Sequence, residues 1–415
     1  MLQDPHAVSE QLERLRDDLA DFTSSDRSLA AVYRDALLEE RASSTATEVR
    51  DAVTGTYADA LPTTEFDRME ELTAPFPPAT EWTSHESAGR WASDVLDGLP
   101  TIAVDGSELE PTTELNVPVG LVQVASYVNH HTTDGQYALD TESAVLPPTE
   151  VVVGPEDGSY TYVDESQVQH ARYERETETV RGLIEEYAEH DPPPVVIYDG
   201  SLTVSFANLF DDETRQRYID SMAALLATSR ANEVPVVGYI AGSQSSDVAD
   251  LVRKLRPTGL GDTGLPRDAA IFAPMLDIWG SRTALFESQR DRSLQKLRTT
   301  YRGEEYAFGD RLRFAYADFG EGESLDRLEV PQWLCETDAP AGWSGNSMFE
   351  YAFQAVRAEA AVGQGYPEAI QVADSEAVLT GSDRDRLIRM LLRLGEDTEV
   401  PIEWNPKDRS KRRRR

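Results

Sequence analysis

A chain of 415 residues with 40% hydrophobic side chains carries enough apolar material for a sizeable core, which excludes a disordered protein. Its single cysteine, Cys335, rules out an intrachain disulfide and a cysteine zinc site, and six histidines with no HxH or HxxxH spacing argue against a histidine zinc site. The formal net charge of −36 has two readings, a protein that avoids nucleic acid or one adapted to molar salt; Lys254, Lys296, Lys407 and Lys411 as the only lysines fit the second, where the Debye length falls to about 3 Å and bulk acidity repels nucleic acid little.

The first hundred residues read as a helical N-terminal region. VSEQLERLRDDLADF places Val8, Leu12, Leu15, Leu19 and Phe22 at helical spacing, and SLAAVYRDALLEERA predicts a second helix. ATEVRDAVTGTYADALP is a weaker helical pattern, and TAPFPPAT reads as a loop. From residue 101 the pattern alternates. TIAVDGS, GLVQVASYVNHH, VVVGP and YTYVDE predict strands, and a helix follows between about 164 and 190. VVIYDGSL (strand), DETRQRYIDSMAALLATSRA (helix), VPVVGYIAGS (strand) and SSDVADLVRKL (helix) come next. Then RLRFAYADF and LDRLEVPQWL return to β, before helices at SMFEYAFQAVRAEAA, YPEAIQVADSEAVL and SDRDRLIRMLLRL. This succession predicts an α/β fold whose mixed sheet is flanked by helices. The expected division is 1–100 (helical), 101–400 (the α/β domain) and 401–415, a basic tail ending in KDRSKRRRR. No apolar run reaches membrane-spanning length, and MLQDPHAVSEQLERL lacks the features of a signal peptide, so a cytoplasmic location is expected.

Asp105 in IAVDGS and Asp199 in VVIYDGS each close an apolar strand. One DGS after a strand is an ordinary turn. Two of them put carboxylates at strand ends, where α/β folds bind ligands. Two neighbouring carboxylates repel unless a cation neutralises them, and all-oxygen donors suit magnesium or manganese. In the helix before the second strand, Val180, Leu183, Ile184 and Tyr187 form the apolar stripe. Stepping back four residues from Val180 reaches Glu176, which makes it the third candidate ligand, whereas Glu174 and Glu178 fall on the solvated side. The competing reading ends the stripe at Val180 and leaves Glu176 near the exposed end. Asp374 lies beside the face set by Ile370, Ala373, Ala377 and Val378, either as a surface aspartate or as a fourth inward carboxylate.

The ordered set IAVDGS, VVIYDGSL, VPVVGYIAGSQS, DIWGSRTALFES, RLEVPQW and GYPEAIQVADSEAV resembles the NurA nucleases, from about residue 101 to 394. The resemblance implies an RNase H-like core, manganese-dependent DNA hydrolysis (with magnesium as the alternative ion), a homodimer, and work beside the hexameric HerA translocase in 5′–3′ DNA end resection. It also implies an archaeal source, here a halophile. Carried over by position, Asp105, Asp199 and Glu176 or a neighbouring glutamate are catalytic metal ligands, with Asp374 as an outer or second-metal ligand, and Arg282 is a catalytic arginine whose planar fork suits a phosphate. Arg282 could equally be an exposed loop arginine. Tyr366 is a candidate DNA contact, and Glu329 and Trp333 sit on a strand beside the site. Asp374 falls where many members carry histidine, and a lysine of some members is missing from VGYIAGSQSS. In the implied mechanism, metal ions neutralise phosphate oxygens and acidify a water. Two rival functions stand beside this one. An inactive scaffold regulating a translocase has no use for two mutually repelling aspartates. An enzyme acting on RNA or hybrids shares the same residues and is separated only by assay.

Overall fold

The computed structural model describes residues 4–154, 160–290, 298–307, 312–320, 324–343 and 345–406. The expected basic cluster from residue 407 onward lies outside these, as do the side chains of Leu19 and Phe22. The chain forms two compact units: Met1–Ser87 with Tyr239–Gln295 and Gly309–Gln332, and Ala88–Gly238 with Lys296–Phe308 and Trp333–Arg415. These boundaries differ from those expected. The N-terminal residues share a core with a later part of the chain instead of standing as a helical region of their own.

In the first unit, helices Arg16–Ser43 and Ala46–Ala52 pack on an antiparallel set of strands, Ala60–Pro62, Phe286–Ser288, Leu312–Ala317 and Asp326–Pro331. Tyr33, Leu37, Phe66, Leu251, Phe272, Phe286, Phe314 and Tyr316 fill its core. The two predicted N-terminal helices merge from Arg16 onward, and the first turns form a separate helix, Pro5–Arg14, with no buried residue. Val8, Leu12 and Leu15 are exposed, so this stripe is not part of the core of its own unit. Two short strands, Ala60–Pro62 and Thr73–Ala74, arise where a helix tail and a loop were expected. They are two or three residues long, too short for a period to show.

The second unit holds the alternating α/β pattern. Strands β1 (Thr101–Leu109), β2 (Gly120–Asn129) and β3 (Tyr137–Leu146) form an antiparallel meander. Helix α1 (Ser166–Glu186) leads to β4 (Val195–Asp199), which pairs parallel with β1. Helix α2 (Asp212–Asn232) leads to β5, which begins at Val236 and lies beside β4. Helices α3 (Met348–Val362), α4 (Glu368–Ala377) and α5 (Gly381–Thr398) follow. The strand order β3-β2-β1-β4-β5, with β2 antiparallel to both neighbours, gives the RNase H-like mixed sheet with flanking helices. Strand β3 has no counterpart among the expected strands. Its residues are exposed on both faces up to Leu146, so it shows no alternation of polar and apolar side chains.

Beyond α5 the chain is anchored before it leaves the described residues. Leu115 bridges to Trp404, and Ile402 and Trp404 pack on Leu115, Val119, Ile388 and Leu391. Of the expected tail, Ile402 and Trp404 are thus packed on the second unit. Among the described residues no helix is long and apolar enough to cross a membrane.

Candidate active site

The parallel register sets Thr101 against Val195 and Ile102 against Val196. Asp105 lies four residues beyond Thr101, and Asp199 four beyond Val195. The two aspartates are therefore level and on one face, because strand side chains alternate. The ladder itself ends at Ile102 and Val196, so this level lies just past the last paired residues.

Asp105 does not end its strand, as the DGS motif suggested. Strand β1 runs on to Leu109 because β2 keeps pairing with it, with Asp105 opposite Ala125 and Gly106 opposite Val124. The glycine is needed for close approach and not for a turn. A Cβ at Gly106 would collide with the Glu176 carboxylate and stand 2.9 Å from Arg172 Cγ. The serine has its own task. Ser107 Oγ accepts the Leu379 N–H at 3.1 Å, and Gln123, its partner on β2, donates to the Glu376 and Ala377 carbonyls. Ser107 and Gln123 thus hold the end of α4. The second DGS is a turn: β4 stops at Asp199, Gly200 has φ +132°, and Ser201 Oγ accepts the Thr203 N–H.

Alternation assigns the faces. Asp105, Ser107 and Gln123 look toward α4, while Gly106 and Glu108 look toward α1. Helix α4 brings Asp374 to the aspartate face. The Tyr366 hydroxyl, just before α4, hydrogen-bonds to the Asp199 carboxylate. Glu359 on α3 fixes that helix in place. It is 1% exposed, accepts the Ala369 N–H at 2.9 Å as a cap for α4, and takes hydrogen bonds at 2.7 Å from Thr101 Oγ1 and 3.0 Å from His131 Nε2. Sequence reasoning passed over Glu359, although a glutamate inside the apolar stripe of AVRAEAAV is a signal of a paired role.

Glu176 comes from the opposite face. It is buried, as its helical phase predicted, while Glu178 is exposed and the part-exposed Glu174 pairs with Arg217. Its Oε1 lies 2.5 Å from Arg172 Nη1, and Arg172 Nε lies 2.7 Å from Glu108. Arg172 carried no signal in the sequence, being one arginine among many on a charged helix.

The electrostatics follow from this crowding. Burial raises the Asp105 carboxyl from 3.8 to about 6; Asp199 and Asp374 push the same way, against the Gly106 N–H and Arg172. Burial raises Glu176 from 4.5 to about 7, opposed by Arg172 and assisted by Asp105. Asp199 is also raised, first by desolvation, while the Tyr366 hydroxyl pulls it down. Every donor is a carboxylate oxygen and the charges are in excess, so the residues fit a hard divalent cation in donor type and charge. They are not gathered into a closed cage: among the described residues no three acidic, histidine or cysteine side chains converge as ligands. Glu176 stands on the far side of the β1 backbone and is held there by Arg172.

Arg282 differs from expectation. It belongs to the other unit, is 2% exposed, and grips Glu65 through Nη1 at 2.8 Å and Nη2 at 2.9 Å. Glu65 also accepts the Leu285 N–H. A guanidinium buried in a bidentate pair has a structural role, not that of a phosphate contact. Glu329 and Trp333 are likewise buried, and Glu329 is the partner of Arg327 in the first unit.

The helical phase gives a direct test. Glu176→Gln should lower nuclease activity by about a hundredfold or more, and Glu174→Gln and Glu178→Gln by less than about threefold. Initial cleavage rates of the three variants decide it; equal losses at Glu176 and Glu178 would remove Glu176 from the site.

Comparison with solved structures finds endonuclease V from Ciona intestinalis in complex with a 23mer DNA containing an inosine (11% identity, 74% of this chain and 99% of that one, TM-score 0.29). It also finds the catalytic domain of human endonuclease V (14% identity, 72% of this chain and 88% of that one, TM-score 0.29). No curated protein sequence matches significantly. A sequence model of the NurA domain matches residues 99–379, and the chain belongs to the NurA family of nucleases.

Proposed function

We propose that the protein is a manganese-dependent DNA nuclease, with magnesium as the alternative ion, that hydrolyses phosphodiester bonds in 5′–3′ end resection of double-strand breaks. In this reading it acts in the cytoplasm as a homodimer beside a HerA-type hexameric translocase. The observation that carries the metal-dependent part is the level placement of Asp105 and Asp199 on one face, with Asp374 adding to the Asp105 charge. Such mutual repulsion is costly to keep unless a cation relieves it.

A divalent cation held there supplies charge neutralisation at the phosphate and a lowered pKa for a bound water. The protein's own residues do the rest. Asp105 and Asp199 present oxygens on one face. Tyr366 orients Asp199 through its hydroxyl, and its ring is a candidate to meet a nucleotide. Glu359 fixes the start of α4, and Ser107 with Gln123 fixes its end, so Asp374 is presented on a braced helix. No side-chain nucleophile is required.

The test offers the purified protein linear duplex DNA, single-stranded DNA, RNA and an RNA–DNA hybrid, each end-labelled at one terminus, with Mn2+ in molar salt. Degradation of DNA with loss of the 5′ label first is expected, and it should stop on chelation. Cleavage confined to RNA or hybrid would favour the RNase reading, and no cleavage of any polymer would favour a scaffold.

A further inference from the structure

We propose that Arg172 is a built-in counter-ion that holds Glu176 back on the α1 side of the sheet until a divalent cation displaces it, so that metal binding and release of this ion pair are one event. The inference rests on the metal-dependent reading above.

Two features of Arg172 set it apart from Arg282 and Arg327. Those two have side chains 3% and 1% exposed, and each makes two short contacts to carboxylates. The Arg172 side chain is 30% exposed; like Arg327 it divides itself, here with one nitrogen to Glu176 and one to Glu108. Its Nε lies 2.7 Å from Glu108 yet is not aligned for a hydrogen bond, so the pair is an ionic contact without directional hold. An arginine held in this way can be exchanged.

The second argument is competition. The Arg172 charge acts on Glu176, Glu108, Asp105 and Asp199 alike. It is therefore placed to substitute for the charge of a cation bound at the same carboxylates. A guanidinium and a divalent ion a few ångström apart in a partly buried site repel each other, and both draw on the Glu176 carboxylate. Glu176 cannot serve the ion fully while Oε1 stays 2.5 Å from Arg172 Nη1.

The third argument is geometry. Glu176 and Asp105 lie on opposite sides of β1, with the Glu176 carboxylate filling the space that a Cβ at Gly106 would need. The ladder between β1 and β4 ends at Ile102 and Val196, so a Glu176 released by Arg172 would reach the ion on the β4 side of β1, beyond the last paired residues.

The experiment measures Mn2+ binding to the full chain by titration calorimetry, together with melting in chelator and in saturating Mn2+, for wild type, Arg172→Gln and Arg172→Lys. Arg172→Gln is expected to bind Mn2+ about tenfold more tightly, as removal of a competing nearby charge implies. It should melt lower than wild type in chelator, with the gap closing in Mn2+. Arg172→Lys keeps the charge but cannot bridge Glu108 and Glu176 with a planar fork, so it should bind about threefold more tightly. It also serves if the glutamine variant does not fold. A merely structural arginine predicts the opposite sign, since its loss misplaces Glu176 and weakens binding. Unchanged or weaker binding by the variants beside a wild type that binds Mn2+ overturns the role of Arg172 alone. Absence of Mn2+ binding in the wild type overturns the metal-dependent reading, and this inference with it.

Discussion

Asp105→Asn should lower DNA cleavage by about a thousandfold or more while leaving the metal-free protein as stable as the wild type or more so. The two halves of the result have one cause. Asp105 is raised from 3.8 to about 6 by burial and by the charges of Asp199 and Asp374. The folded protein therefore holds this proton more tightly than the unfolded chain does. A raised carboxyl contributes stability that is fully present below its unfolded pKa and is lost as pH rises through the folded one. For Asp105 that window runs from 3.8 to about 6, and for Glu176 from 4.5 to about 7. Metal-free wild type should thus lose stability between about pH 4 and 7 from these two groups, and Asp105→Asn should show a shallower loss. Melting in chelator at pH 5 and pH 8 gives the slope. A variant that melts well below wild type at pH 8 would show that the charge of Asp105 holds the fold together.

Arg327→Met is expected to destabilise the first unit by about 3–5 kcal/mol, the usual cost of removing one partner from a buried ion pair. Arg327 is 1% exposed, donates from Nε to Glu329 at 2.8 Å and from Nη1 to Asp247 at 2.6 Å, and lies over the Phe314 ring at 3.7 Å. Asp247 keeps Arg290 at 2.9 Å and so retains a counter-charge. Adding Asp247→Asn to Arg327→Met should therefore recover little of the stability. Denaturant midpoints in high salt test this. Single-variant destabilisation below about 1 kcal/mol would mean that the cluster is relieved in some other way.

Much of the site could be read from the sequence because its signals are local. The apolar runs before Asp105 and Asp199 announce strands, and the stripe through Val180 and Ile184 fixes the phase of Glu176. What could not be read depends on partners distant in the chain. That β1 continues past Asp105 is decided by its ladder with β2, so an Asp-Gly that looks like a turn becomes strand. Arg282 looked available because its partner, Glu65, lies 217 residues away. The work of Glu359 and Arg172 emerges only when helices meet the sheet. The N-terminal region was taken as helical because strands as short as Ala60–Pro62 and Thr73–Ala74 leave no period to detect, and they form by pairing with Phe286–Ser288 and Arg282–Thr283 far downstream.

The division of the second unit into separate stretches of sequence also sets a timetable. Asp105, Glu176 and Asp199 are made early, but residues 239–295 and 309–332, which belong to the other unit, must be synthesised before Glu359, Tyr366 and Asp374 exist. Domains emerge from the ribosome with the N-terminal end first. A nascent chain therefore carries the facing aspartates for much of its synthesis without the tyrosine hydroxyl that steadies Asp199 or the helix that presents Asp374. The nuclease is incomplete throughout its own translation, and a chain released before Tyr366 retains the repulsion of the site without the parts that put it to use.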